Sequence, residues 1–419
     1  MKSSPNILSS FCLIFLFIGM TLTSCSDNQS EPQMIAEVPS LSANDKQVVN
    51  SANAFAFDLL AEINKEHQTG NVFISPFSVS TALSMTLNGA NGDTNDEMKT
   101  TLELESLSNE EINRSNKILA EYLLAADPKA SIKIANSNWY SDENSINETF
   151  QEILLEYYNA EVIAADFTNS STVGRINDWI SDKTNGKIKD MLDGIPNEAV
   201  MYLINAIYFK ADWVYQFDKN KTEDGAFKLS DGTNKMVPTM FCEEATIGIS
   251  ADQDYSLIDI PYGNGRYSFT VVMSNDEAEN INETASEFTN EKLRTMVADT
   301  VHRTRSLYMP KMKIEFKQSL NDQLKTLGTK LAFTDSADFS GLFQNLSNLS
   351  ISRVIHQSFL EVNEEGSEAA AATIVEVGVT SIDPNAQTAI KIDRPFLFFI
   401  REKHTNTILF SGKMMDPTL

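Results

Sequence analysis

The stretch Glu364-Glu-Gly-Ser-Glu-Ala-Ala-Ala-Ala-Thr373 constrains this chain more than any other, because it runs directly into Ile374-Val-Glu-Val-Gly-Val379. Alanine has the best intrinsic helix propensity, so the run taken alone suggests helix. Taken as a strand it is more informative. Side chains alternate faces with period two, so one face carries Ser367, Ala369, Ala371, Thr373, Val375 and Val377, all small or β-branched and none charged. The other carries Glu368, Ala370, Ala372, Ile374, Glu376 and Gly378. Such a segment can enter the middle of an existing sheet with its uncharged face on the core and its glutamates in water. The hinge would be Gly366, which tolerates backbone angles that other residues avoid.

This pattern resembles the reactive-loop hinge of inhibitory serpins, whose loops insert into a sheet. The resemblance runs from about Asp45 to the C-terminus. It passes through Asn71-Val-Phe-Ile-Ser-Pro-Phe-Ser-Val-Ser80, Leu203-Ile-Asn-Ala-Ile-Tyr-Phe-Lys-Ala-Asp-Trp213, Met309-Pro-Lys-Met-Lys-Ile-Glu315 and Asp393-Arg-Pro-Phe-Leu-Phe-Phe-Ile400. It implies an α+β serpin fold over residues 45–419. A helical N-terminal half packs on a large mixed sheet plus smaller sheets, and a reactive loop at about 364–392 is exposed.

Composition is compatible with this and excludes some alternatives. A chain of 419 residues with 42% hydrophobic content can bury a large core. A formal charge of −25 argues against nucleic acid, a polybasic membrane patch or a basic face for sulfated polysaccharides. The first residues read as addressing. Met1-Lys2 gives a short positive start, and Ile7 to Thr21 an apolar run too short and wrongly flanked for an ordinary span. Leu22-Thr23-Ser24-Cys25 resembles a bacterial lipobox. The expectation is therefore a signal peptide over 1–24, lipidation at Cys25 and a flexible polar spacer over 25–44. The alternative is a plain secretory signal. An exported lipoprotein of a bacterial outer membrane follows, facing either the periplasm or the outside. Of three cysteines only Cys242 then remains as a free thiol, so the exported domain holds together without a disulfide. No His, Cys and carboxylate spacing suggests a metal, and no phosphate loop or nucleophile elbow is present. No cofactor and no catalytic constellation are expected.

Periodicity predicts helices first and strands later. Val48, Val49, Ala52, Phe55, Phe57, Leu59, Leu60 and Ile63 predict a mostly buried helix over 45–65. Ser75-Pro76 starts a second helix, with Ser as cap and Pro at the first position, and Asn88-Gly89 ends it. Further helices are predicted over about 108–126, 147–159 and 173–192. Short runs at Leu203–Phe209, Ser256–Ile260, Tyr267–Met273, Ser306–Met309 and Phe396–Ile400 read as strands. A single mixed domain follows.

The resemblance also assigns roles. It maps the polar network at which serpins open their main sheet onto Ser75, Ser78, Asn205 and His356, where hydroxyls, an amide and an imidazole can close hydrogen bonds in two strand arrangements. His356 is then a structural histidine, not a catalytic base. At the top of the sheet, where the loop first enters, it places Trp213, Lys311 and Glu364, with an ion pair between the last two. The hinge comprises Glu364, Glu365, Gly366, Ser367, Glu368, Ala369, Ala370, Ala371, Ala372 and Thr373. About fourteen residues past Gly366, as in insertion-competent loops, the cut falls between Thr380 and Ser381, with Val379 and Val377 as alternates. Arg353 is the sole Arg or Lys between Lys330 and Lys391. The bait therefore suits elastase-like or subtilisin-like serine proteases rather than trypsin-like ones, and cysteine proteases remain open as partners. The implied activity is suicide inhibition by a monomer that is not an enzyme: acylation of the protease, then loop insertion before the ester hydrolyses. A non-inhibitory serpin acting as a binding or chaperone module is the alternative. Two departures stand out. Ala211 occupies a position where the family often has Gly, and Met273-Ser274 replaces the usual Leu-Pro.

Overall fold

The structure is a computed structural model and describes residues 39–277, 279–346, 348–367 and 389–419. Cys25, the loop residues Glu368 to Thr373 and the candidate bond residues Val377, Val379, Thr380 and Ser381 lie outside the described residues.

The first helix, α1 (Ala43–Glu66), starts two residues before the boundary read from sequence because Ser42 closes a capping box. The Ser42 hydroxyl accepts from Asp45 N–H at 3.2 Å, and Ser42 N–H donates back to the Asp45 carboxylate at 2.8 Å. In chain order there follow β1 (Val72–Ile74), α2 (Pro76–Leu87), α3 (Gly92–Thr101), α4 (Asn109–Ala125), β2 (Ala130–Ser141), α5 (Glu148–Tyr158), β3 (Glu161–Ala165), α6 (Ser171–Lys183) and β4 (Met201–Asp212). The second half adds β5 (Glu223–Lys228), β6 (Asn234–Ala251), β7 (Tyr255–Tyr262), β8 (Tyr267–Ser274), α7 (Ile281–Glu287), α8 (Asn290–Ala298), β9 (Val301–Pro310), β10 (Met312–Ser319) and α9 (Asn321–Leu327). It closes with β11 (Ile355–Val362), β12 (Gly366–Ser367), β13 (Ile390–Lys391), β14 (Phe396–Glu402) and β15 (Ile408–Met414).

Two sheets organise the domain. One runs β10-β11-β12-β4-β2-β3, and the other β1-β15-β14-β8-β7-β6-β9-β13 with β5 paired to β6. The pairs β2–β3 and β9–β13 are parallel and the rest antiparallel, so both sheets are mixed. Strands β8, β14 and β15 are buried at every residue, which places them between layers rather than at a wet face. Phe73 of β1 stacks on Phe398 and Phe410, and Phe209 of β4 packs edge-on against Tyr262 and Tyr267. These aromatics join the sheets into one core.

Three sequence expectations needed correction. The helix predicted over 173–192 ends at Lys183, because Asn185 and Gly186 take positive φ of 51° and 76° and turn the chain left-handed. Residues 187–192 then return as non-helical chain that buries Ile188 and Leu192 under α6. The N-terminal half is not purely helical: β2 is a twelve-residue strand inside the six-stranded sheet. Its buried Asn136, Ser137 and Asn138 interrupt the apolar alternation that reveals a strand. Conversely, the half read as strands contains the short helices α7, α8 and α9. Where Met273-Ser274 replaces Leu-Pro, β8 continues as strand to Ser274.

The nine-stranded sheet also buries charge. Asp259 accepts from Arg401 Nη2 at 2.8 Å and from Lys403 Nζ at 3.1 Å, with Asp259 and Arg401 almost fully enclosed. Burial opposes ionisation of Asp259, but the two cations and the Thr270 hydroxyl overcome it and hold its pKa down at about 2. Asp259→Asn is expected to cost about 3–5 kcal/mol by leaving buried cations uncompensated, read as a lowered urea midpoint. A companion Arg401→Met substitution should restore part of that loss; no recovery would mean that the pair does not account for it.

Candidate functional site

The hinge is built from a tight turn at the end of β11. Asn363 N–H donates to Gly366 O at 3.0 Å, and the Asn363 side-chain oxygen accepts from Glu365 N–H at 3.0 Å and Gly366 N–H at 3.3 Å. The turn delivers Gly366 and Ser367 between two strands. Ser367 pairs with Val362 of β11 on one side, and Gly366 and Ser367 pair with Asp212 and Ala211 of β4 on the other. Beyond these two residues, Ile207 and Phe209 of β4 and Phe359 and Leu360 of β11 line a narrow pocket.

Glycine is required at 366 for space, not for an unusual backbone angle. Its φ is not positive. A Cβ there would stand 2.1 Å from the carbonyl oxygen of Ala211 and 2.7 Å from Cα of Asp212, both fixed backbone atoms.

Polar contacts to Glu364, Glu365 and Asn363 hold this seat. Lys311 Nζ lies 3.0 Å from both carboxylate oxygens of Glu364, and the Thr222 hydroxyl donates to Glu364 at 2.8 Å. Burial raises the Glu364 pKa, but a backbone hydrogen bond, Lys311 and Thr222 lower it more, so the carboxylate is held ionised. Glu365 pairs with Lys219. Both glutamates are buried, at 6% and 8% exposure, although sequence places them in an acidic loop. Trp213 donates from its indole N–H to Asn363 O at 2.9 Å and from its backbone N–H to Glu365 O at 2.8 Å.

The indole of Trp213 stacks on Tyr262 with centroids 4.2 Å apart and planes 12° from parallel. The Tyr262 hydroxyl sits 2.5 Å from the Ser367 hydroxyl in a fully buried contact. Burial pushes the Tyr262 phenol above its ordinary range, so it stays neutral and able to donate. Sequence reasoning missed Tyr262, Asn363 and Thr222. Tyr262 and Thr222 reach the hinge only through the fold, whereas Asn363 acts locally, its side chain closing the turn over the next three residues.

The four residues assigned to the opening network are joined in a chain of three contacts, His356 to Ser75, Ser75 to Ser78 and Ser78 to Asn205. Ser75 caps α2, its hydroxyl accepting from Ser78 N–H at 3.2 Å and donating to Leu409 O at 2.8 Å. Its backbone N–H donates to His356 Nε2 at 3.0 Å, which makes that ring nitrogen an acceptor. Ser78 donates to the backbone oxygen of Asn205 at 3.1 Å, not to its amide. The Asn205 side chain instead donates to Asn136 Oδ1 at 2.7 Å, and Asn136 donates to Tyr158 O at 2.7 Å. Asn136 is thus the partner that sequence did not supply.

No group of three or more His, Cys, Asp or Glu is placed to hold a metal among the described residues. Cys242 is free and buried, and burial raises its thiol pKa. His356 carries a pH consequence. Its folded pKa is lowered from 6.5 to about 4 by burial. Its contribution is therefore fully present above about pH 6.5 and is lost as pH falls toward 4, at about 1.4 kcal/mol per unit. Melting temperature measured over pH 7 to 4 should fall more steeply for the wild type than for His356→Gln. Parallel curves would remove His356 from the acid response.

The family profile described as Serpin (serine protease inhibitor) matches residues 50–417. Iripin-1 of Ixodes ricinus is 36% identical over 380 residues, covering 88% of this chain and 95% of that protein. The leukocyte elastase inhibitor of Xenopus tropicalis is 32% identical, covering 87% of this chain and 97% of its own. Among solved structures, the thermophilic serpin Tengpin in its native state matches with a TM-score of 0.80 at 32% identity, covering 91% of this chain and 97% of that one. The α+β architecture, with two mixed sheets and a hinge strand between β11 and β4, is the serpin fold, and this chain belongs to the serpin family.

Proposed function

We propose that this chain is an irreversible trap for serine proteases, with elastase-like or subtilisin-like enzymes as targets. The observation that carries this reading is the seating of Gly366 and Ser367 between β11 and β4. The segment that would have to insert already has its first two residues in the insertion path. The next residues, Glu368 to Thr373, continue the same period-two pattern with no bulky or charged side chain on the face of Ser367. The protease would attack the carbonyl of Thr380 and form an ester. Insertion of the freed strand would then carry the attached enzyme away before water completes hydrolysis.

Insertion has to outrun deacylation, so bulk on the inward face should convert trap to substrate. Mixing the domain from Ser26 onward with a neutrophil-type elastase or a subtilisin-type protease should yield a denaturant-stable adduct and a released peptide beginning at or near Ser381. Ala369→Arg should be cleaved at the same bond with adduct yield reduced roughly tenfold or more. Stoichiometric trapping by that variant would refute the insertion argument.

The same proposal extends to location. The Leu22-Thr-Ser-Cys25 motif and the polar run after it support a lipid-anchored protein on an outer membrane, exposed to the periplasm or to the outside. Expressed with its own leader, Cys25→Ala should move the protein from the membrane to the soluble fraction. An unchanged membrane fraction would rule out the anchor.

A further inference from the structure

Among the described residues, strand β9 carries two arginines with no anionic partner. Arg303 and Arg305 are two residues apart and so share one face of the strand. Among the described residues, Arg303 Nη1 donates to the neighbouring His302 O at 3.2 Å, and Arg305 Nη1 to Thr304 O at 2.8 Å. Their opposite numbers on β6 are Ile247 and Ala245, both buried, so the guanidinium groups lie over an apolar floor. With Ile249, Val301 and Ile390 they line a shallow groove, and Val301 is 47% exposed. The nearby Glu243 is taken by Lys221. In a chain of net charge −25, two adjacent cations without an ion pair among the described residues, beside exposed aliphatic surface, make a local basic patch.

The groove's position supplies its occupant. Strand β13 pairs parallel to β9, Ile390 with Leu307. The chain therefore enters β13 from the end of β9 that carries Arg303 and Arg305. Ile390 lies ten positions after Thr380, a stretch that can span at most about 33–36 Å. A protease domain of about 220 residues has a radius of gyration near 17 Å and is roughly 44 Å across. An enzyme engaged at Thr380 is therefore within reach of this groove.

We propose that Arg303 and Arg305, over the Ile249, Val301 and Ile390 floor, form a second contact with the target protease, whose surface beside its cleft is acidic around an apolar residue. This rests on the trapping reading above. The contact acts in the encounter, where opposite charge raises association rates and salt removes the effect.

The test compares Arg303→Glu/Arg305→Glu with a control of equal charge change on α4, Arg114→Glu/Lys117→Glu. Each is mixed with a subtilisin-type protease, intact or with its lysines succinylated into carboxylates. Adduct formation is followed between about 0.05 and 0.5 M salt. The expected result is that the β9 variant traps the succinylated enzyme about tenfold more slowly than the control at low salt. That gap should close at high salt, with the number of inhibitor molecules consumed per enzyme unchanged. Equal rates for the two variants would overturn the inference while leaving trapping intact, and would assign the groove to the chain's own loop or to no partner. No adduct from the wild type with either enzyme would instead sink the trapping reading, and this inference with it.

Discussion

The site depends on there being no room for a side chain at Gly366. The carbonyl of Ala211 occupies the place a Cβ would need, and that carbonyl belongs to a ladder already bonded to β2. Backbone in a paired strand cannot step aside, so the hinge enters the sheet only if residue 366 is bare. The other contacts at the top of the sheet presuppose this approach. Ser367 reaches Tyr262, Glu364 reaches Lys311 and Trp213 reaches Asn363 because the turn is drawn in against β4.

The seat is polar where an apolar one would be stronger. An ion pair such as Glu364–Lys311, with the lysine 40% exposed, contributes about 0–1 kcal/mol at most. The hydrogen bonds of Asn363 and Thr222 are of similar individual size. Their value lies in direction. Lys311, next to β10, and Thr222, next to β5, fix the Glu364 carboxylate, while Asn363 closes the turn on itself. The Trp213–Tyr262 stack provides the rigid wall against which these adjustable contacts act.

Much of this was legible in sequence, for reasons that differ by residue. The α2 start was readable because Ser75 and Pro76 act locally, through a cap and a missing amide. Strands β4, β8 and β14 were readable from their own apolar runs. Gly366 was readable as necessary, though the reason inferred, backbone freedom, was not the steric one found. What was not legible is non-local. Strand β2 hid because Asn136 and its neighbours are buried for partners on α5 and β4, so composition reads polar where the chain is enclosed. Tyr262 looked like any strand aromatic until folding set it against Ser367. Asn205 meets Ser78 only through its backbone oxygen, and its side-chain amide goes to Asn136 instead.

The placement of β15 bears on how this domain comes to exist at all. It lies between β1 and β14, buried throughout, and hydrogen bonds near it join Asn71 to Asp416, 345 residues apart in the chain. The central sheet therefore lacks an interior strand until nearly all of the polypeptide is available. Segments made early have exposed apolar faces and nothing to close them, so the domain cannot mature piecewise from its N-terminus. Closure of this sheet is a long-range event, of the kind that slows folding and leaves partly ordered intermediates exposed.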